Sequence, residues 1–230
     1  MKTRKFAYKE TVLNIKSDKD VFDGLAKEVF FQRKQLERYM EQNPEFGISL
    51  EPFETTGNAP EIARIMADSA KIFGIGPMAA VAGTLAELVA KKGIELGARK
   101  ILIENGGDIC MYAEGDDEFV VKIYAGDSTP NIGFKVKPNG FSGVCTSSAS
   151  VGHSISFGES DATVVAAKSA AVADAAATAI GNVVKGGVEE SVQRGIEFAK
   201  KFTDKIEGVL IIRGGSIGRL GKLPEIIEID

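Results

Sequence analysis

Hydrophobic positions change period several times along the chain. Residues 6–16 alternate, with Thr11, Leu13 and Ile15 on one face, the pattern of a half-buried strand. From Asp20 the period lengthens. Val21, Leu25, Val29, Leu36 and Met40 then share one side of a long amphipathic helix that stops near Asn43 and Pro44. A short strand is predicted over 48–53. Asn58 holds the place of an N-cap, with Pro60 near the first turn and Glu61 as the capping partner; Ile62, Ile65 and Met66 carry that helix to about residue 73. The turn Gly74-Ile75-Gly76-Pro77 opens a further helix over 78–96, closed by Gly97. Its small residues, among them Ala79, Ala80, Ala82, Gly83 and Ala86, would let another backbone approach closely.

Strands dominate the second half. Residues 100–103 and 109–113 flank Asn105-Gly106-Gly107-Asp108, and 119–125, 131–136 and 141–145 read as an antiparallel meander with turns between them. A strand over 162–167, an Ala-rich helix from 169 to about 184 and a helix over 188–201 come next. Strands over 208–212 and 223–229 end the chain. Helices are inserted between meander strands rather than alternating with each one, which predicts an α+β fold with antiparallel sheets packed against helices. No linker or short repeat interrupts it, so one domain over 1–230 is expected.

Composition narrows the function classes. The chain has 44% hydrophobic and 26% charged residues, an ordinary globular balance. A net charge of -4 speaks against a broad nucleic-acid surface, and no helix carries a basic, membrane-binding face. The first nineteen residues lack an apolar signal-like core, so a cytoplasmic protein is expected. Cys110 and Cys145 are unlinked thiols in that setting, read first as small buried hydrophobes, and with the lone His153 they cannot make a structural zinc site.

Four segments could carry chemistry. Gly106 and Gly107, before Asp108, permit a turn that side chains would block and leave N–H groups for an anion, or else make a simple glycine bulge. Thr146, Ser147 and Ser148 present three hydroxyls after a strand, enough to line a phosphate or sugar, though such runs also make polar loops. Asp174 and Thr178 lie at i and i+4 on the Ala-rich helix. A carboxylate on a buried helix needs a partner, either a hydrogen-bond donor or a hard cation. His153 has the one side chain whose ordinary pKa suits proton transfer near neutrality.

The order of these pieces resembles the ApbE (FAD:protein FMN transferase) superfamily, in a short cytosolic branch. A Gly-Gly loop after a strand (ILIENGGDI), a threonine–serine segment (GVCTSS), a His-containing stretch and an Ala-Asp-Ala-x-Ala-Thr-Ala helix (ATVVAAKSAAVADAAATAIGN) follow one another over roughly residues 74–182. The resemblance implies an FAD or FMN site with Mg²⁺ beside the pyrophosphate and an acceptor protein whose Thr or Ser receives FMN. It implies Asp174, Thr178 and the Ala79 carbonyl as metal ligands, and Gly106, Gly107, Asp108, Thr146, Ser147 and Ser148 along the flavin or other phosphorylated ligand. His153 is the candidate base. Two family elements are missing. Where transferases carry Gly-Ile-Ala-Lys-Gly this chain has Pro77-Met78-Ala79-Ala80, and no Asp-Pro-Arg-Thr follows His153. Weak or absent FMN transfer is therefore expected.

Two other readings compete. Cys145, before the hydroxyl run, or Cys110 could relay sulfur as a thiolate or persulfide, in keeping with the branch's association with sulfide assimilation. Alternatively the chain is a non-catalytic interaction protein. Its first helix and the small-residue helix over 78–96 would then serve self-association, for instance as a homodimer.

Overall fold

Every residue of Ala162–Ala167 is buried, which a strand achieves only when both faces of its sheet are covered. The computed structural model describes residues 1–123, 131–149 and 157–229. In it, that strand (β8) lies inside an antiparallel sheet of order β1-β2-β3-β4-β7-β8-β9-β10. The members are β1 (Lys2–Tyr8), β2 (Thr11–Ser17), β3 (Ile101–Asn105), β4 (Asp108–Ala113), β7 (Gly140–Ser147), β9 (Gly208–Arg213) and β10 (Ser216–Gly221). A smaller sheet of order β11-β6-β5 contains β5 (Phe119–Ile123), β6 (Ile132–Val136) and β11 (Glu225–Glu228).

Helices enter at two points. α1 (Phe22–Gln42), α2 (Pro44–Ile48), α3 (Glu61–Ile72), a 3-10 turn (Pro77–Ala80) and α4 (Val81–Glu95) separate β2 from β3. α5 (Ala170–Val183) and α6 (Val188–Ala199) separate β8 from β9. The result is three layers, with helices on one face of the large sheet and the small sheet on the other. Ile103, Cys110, Val165 and Ile211 point into the helical core, whereas Met111, Val164 and Leu210 join Phe134 and Val121 of the small sheet. The α+β class is the one the sequence predicts. β2 keeps its strict alternation, and α1 buries Phe22, Leu25, Val29 and Leu36 on one side.

Three expectations change. Residues 49–53 form no strand. α2 runs to Ile48 with Pro44 in its first turn, and Ile48 and Leu50 are 78% and 65% exposed. Pro52 could donate no ladder hydrogen bond there. Asn58 does not cap α3. Pro60 holds the N-cap position, and Asn58 Oδ1 accepts instead from Thr56 Oγ1 at 2.8 Å. Finally, the meander is divided. β7 pairs with β4, while β5 and β6 pair with each other and β6 with β11. The alternation of β5 records this, since Val120 and Lys122 face away from the core of the small sheet.

Candidate functional site

Helix α5 begins under tight control. Its N-cap Ser169 accepts from the Val172 N–H at 3.3 Å, and Glu87 of α4 accepts from Ser169 Oγ at 2.6 Å and from the Ala171 N–H at 3.3 Å. A carboxylate placed on the free amides of a helix start is favoured by both hydrogen bonding and the helix dipole. Burial alone would push Glu87 up. Hydrogen bonds from Lys91, Ser169 and the Ala171 amide outweigh it and hold the carboxyl below its usual range.

Gly83 lets the two helices meet. A Cβ there would lie 2.3 Å from the Ala170 carbonyl oxygen, so only glycine fits without displacement. At this contact the Gly83 N–H donates to Asp174 Oδ2 at 2.8 Å, and the Ala82 N–H adds a second bond. The start of α4 thus anchors Asp174, with Thr178 one turn further along α5.

Asp108 arrives from the sheet. Gly106 (φ 65) and Gly107 (φ 103) make a two-residue turn between the paired Asn105 and Asp108, and positive φ at both positions is what a tight hairpin of this kind requires. Asn105 Nδ2 donates to the Ala82 carbonyl at 3.2 Å, joining the hairpin to the start of α4. The Thr146 amide and the Cys145 thiol lie beside the Asp108 carboxyl and favour its charged form, yet its buried Oδ1 has no hydrogen-bond partner among the described residues.

Asp108, Asp174, Thr178 and Ala79 line one cavity of about 930 Å³. Its wall also holds Ile48, Leu50, Met78 and Phe157, with Asn182 and Lys185. The floor is acidic, the sides apolar, and the rim carries one described cation, exposed Lys185. Burial pushes the Asp174 carboxyl up to about 7 against the pull of the Gly83 and Ala82 amides. Burial, then the charge of Asp174, pushes Asp108 well above the usual carboxylate range. Such a pair is poorly accommodated without a counter-charge. Carboxylates, a hydroxyl and a backbone carbonyl form an oxygen-only donor set suited to a hard cation, for which Mg²⁺ commonly uses one or two carboxylates plus substrate phosphates. No group of three His, Cys, Asp or Glu side chains gathers among the described residues, so the donors do not suit zinc.

The other candidates fall elsewhere. Gly106 and Gly107 shape the hairpin and are not among the described lining residues. Thr146, Ser147 and Ser148 lie half-buried at the end of β7, Thr146 touching the site through its amide. His153 lies outside the described residues. Cys145 overturns an expectation. Its thiol is fully buried, 3.3 Å from the Ala170 carbonyl and beside Asp108. Burial first, then the charges of Asp108 and Asp174, raise it well above the usual thiol range. Cys110 is likewise buried and raised. Neither offers the accessible thiolate that a sulfur relay requires. On the small-residue helix, Gly83 is taken up by the contact with Ala170 of α5.

A family model described as "AbpE bacteria" matches residues 2–206. The chain belongs to this family. Among its relatives, a UPF0280 protein of Methanococcus aeolicus is 41% identical over 99% of this chain and 93% of its own length. Those of Methanocaldococcus jannaschii and Archaeoglobus fulgidus are 43% and 40% identical, covering 99% and 98% of this chain and 93% and 94% of theirs. Two solved structures share the AbpE fold. The flavinyl transferase ApbE of Pseudomonas stutzeri superposes with a TM-score of 0.59 at 16% identity, over 95% of this chain and 94% of that one. The flavin transferase ApbE of Vibrio cholerae gives 0.54 at 13%, over 95% and 96%. The resemblance read from the order of the motifs is therefore that of family and fold.

Ile48, Leu50, Phe157, Asn182 and Lys185 escape the sequence reading. Only Ile48 and Leu50 leave a signal there, as apolar residues in a stretch whose alternation suggests a strand.

Proposed function

We propose that the cavity binds a flavin nucleotide, FAD or FMN, or a closely related phosphorylated ligand, together with Mg²⁺. The observation that carries this reading is the acidic floor. Asp174 is held by two helix-start amides, Thr178 stands one turn away, and the cavity above is large enough for a nucleotide. Asp174, Thr178 and the Ala79 carbonyl would hold the ion, which when bound supplies positive charge to a pyrophosphate. The flavin transferases of Pseudomonas stutzeri and Vibrio cholerae, which share this fold, support the flavin.

The chain's own residues do the rest. The α4 amides fix Asp174 so that its carboxyl needs no rearrangement to serve as a ligand. Met78, Ile48, Leu50 and Phe157 give a planar ring an apolar wall, and Lys185 sets a positive charge at the rim. If FMN is transferred, an acceptor hydroxyl loses its proton to a base and bonds to the FMN phosphorus, while AMP leaves. His153 is proposed as that base. The missing Lys and Asp-Pro-Arg-Thr elements make the transfer slow. Equilibrium dialysis with FAD, with and without Mg²⁺, tests the binding. Retention that depends on Mg²⁺ and is lost in Asp174→Asn is expected; no retention under either condition removes the reading.

A further inference from the structure

We infer that Asp108 is a second carboxylate ligand of the cation held by Asp174, so that sheet and helix each contribute one acid to the same centre. The inference rests on the Mg²⁺ reading above and adds a residue to it. Asp108 is only 8% exposed, and its Oδ1 has no hydrogen-bond partner among the described residues. A buried carboxylate oxygen without a partner is unfavourable. Such a group calls for a partner that the described residues do not supply, a water or an ion. The Thr146 amide and the Cys145 thiol lie beside the carboxyl without neutralising it.

Position supports the same conclusion. The Gly106-Gly107 turn makes Asp108 the first ladder residue of β4, opposite Asn105. Two residues on, Cys110 lies in the helical core, so alternation sends the Asp108 side chain toward α4 and α5 as well. There it lines the cavity with Asp174. No described lysine or arginine forms an ion pair with either acid. Lys185, the cation among the described lining residues, is exposed at the rim. Two buried carboxylates facing one cavity without a basic partner call for a bound cation.

Mn²⁺ binding to the full chain at pH 8, read from the electron paramagnetic resonance signal of the free ion, is the test. Wild type is expected to bind, Asp174→Asn to lose binding, and Asp108→Asn to bind at least ten-fold more weakly. Without metal, Asp108→Asn should melt higher than wild type, because a repulsion is removed; if Asp108 only stitched β4 to β7, the variant would melt lower. Equal Mn²⁺ affinity in wild type and Asp108→Asn overturns this inference and leaves the Mg²⁺ reading standing. No binding to wild type overturns both. Should Asp108→Asn fail to fold, infrared difference spectra of wild type labelled with ¹³C-aspartate decide on Mg²⁺ addition. Two shifted carboxylate stretches support the inference, and a single one overturns it.

Discussion

Glu87 shows how a single side chain sets the frame of the site. Its carboxylate joins Lys91 of its own helix to Ser169 and the Ala171 amide at the start of α5. Glu87→Gln should lower stability by about 1–2 kcal/mol at neutral pH, measured by urea unfolding. The pH dependence follows from the direction of its shift. A carboxyl held below its usual 4.5 adds stability that is complete above that value and lost as pH falls through the folded one. The gap between wild type and variant should therefore close in acid, and a gap that widens there would refute the assignment. The cysteines make the opposite case. Neither should react with iodoacetamide in the native protein, whereas both should react in denaturant; rapid native alkylation of Cys145 would restore the sulfur relay. Sequence offers buried thiols as the plainer reading and cannot by itself decide against the relay. Cys145 lies on a strand covered on both faces, where alternation no longer separates wet from dry, whereas Asp174 on an alanine helix was conspicuous because nothing beside it in sequence could satisfy its charge.

At the scale of elements, the contact between α4 and α5 matters most. Gly83→Ala would drive a methyl into the Ala170 carbonyl and the Asp174 Cβ, 2.3 and 2.7 Å away. A loss of about 1–3 kcal/mol is expected in thermal or urea unfolding. Because the Gly83 amide also anchors Asp174, the stabilisation that the proposed Mg²⁺ site predicts should shrink with it. Unchanged stability together with an unchanged Mg²⁺ response would show that the helices part without consequence for the site. Helix periods of three and four residues and the glycine hairpin at 106–107 were readable because each is a local matter. The run from 48 to 53 was not, since Ile48 and Leu50 alternate like a strand but border a cavity. The pairing of β7 with β4 was hidden as well. Two strands inserted between them belong to another sheet, and sequence order alone makes neighbours of segments that the fold separates.

The whole molecule places two cores back to back across one sheet, and this bears on whether residues 1–230 act as a single unit. The strands β3, β4, β8 and β9 contribute to both cores: Ile103 and Val165 face the helices, while Leu102 and Val164 face the small sheet. A layer that shares its partner strands in this way cannot unfold without baring the reverse face of the sheet that carries Asp108. Phe134, fully buried at the centre of the small sheet, is the residue with which to ask. Phe134→Ala should remove about 3–5 kcal/mol, as expected for an aromatic core residue reduced to a methyl. The lost stability should appear everywhere at once. Urea unfolding followed by circular dichroism, and by hydrogen exchange of peptides from β5–β6 and from α5, should give one coincident midpoint, shifted downward in the variant. If the β5–β6 peptides instead exchange at low urea while α5 keeps its wild-type midpoint, the small sheet is a separate cooperative unit. The acidic floor of the cavity would then owe its rigidity to the helices alone.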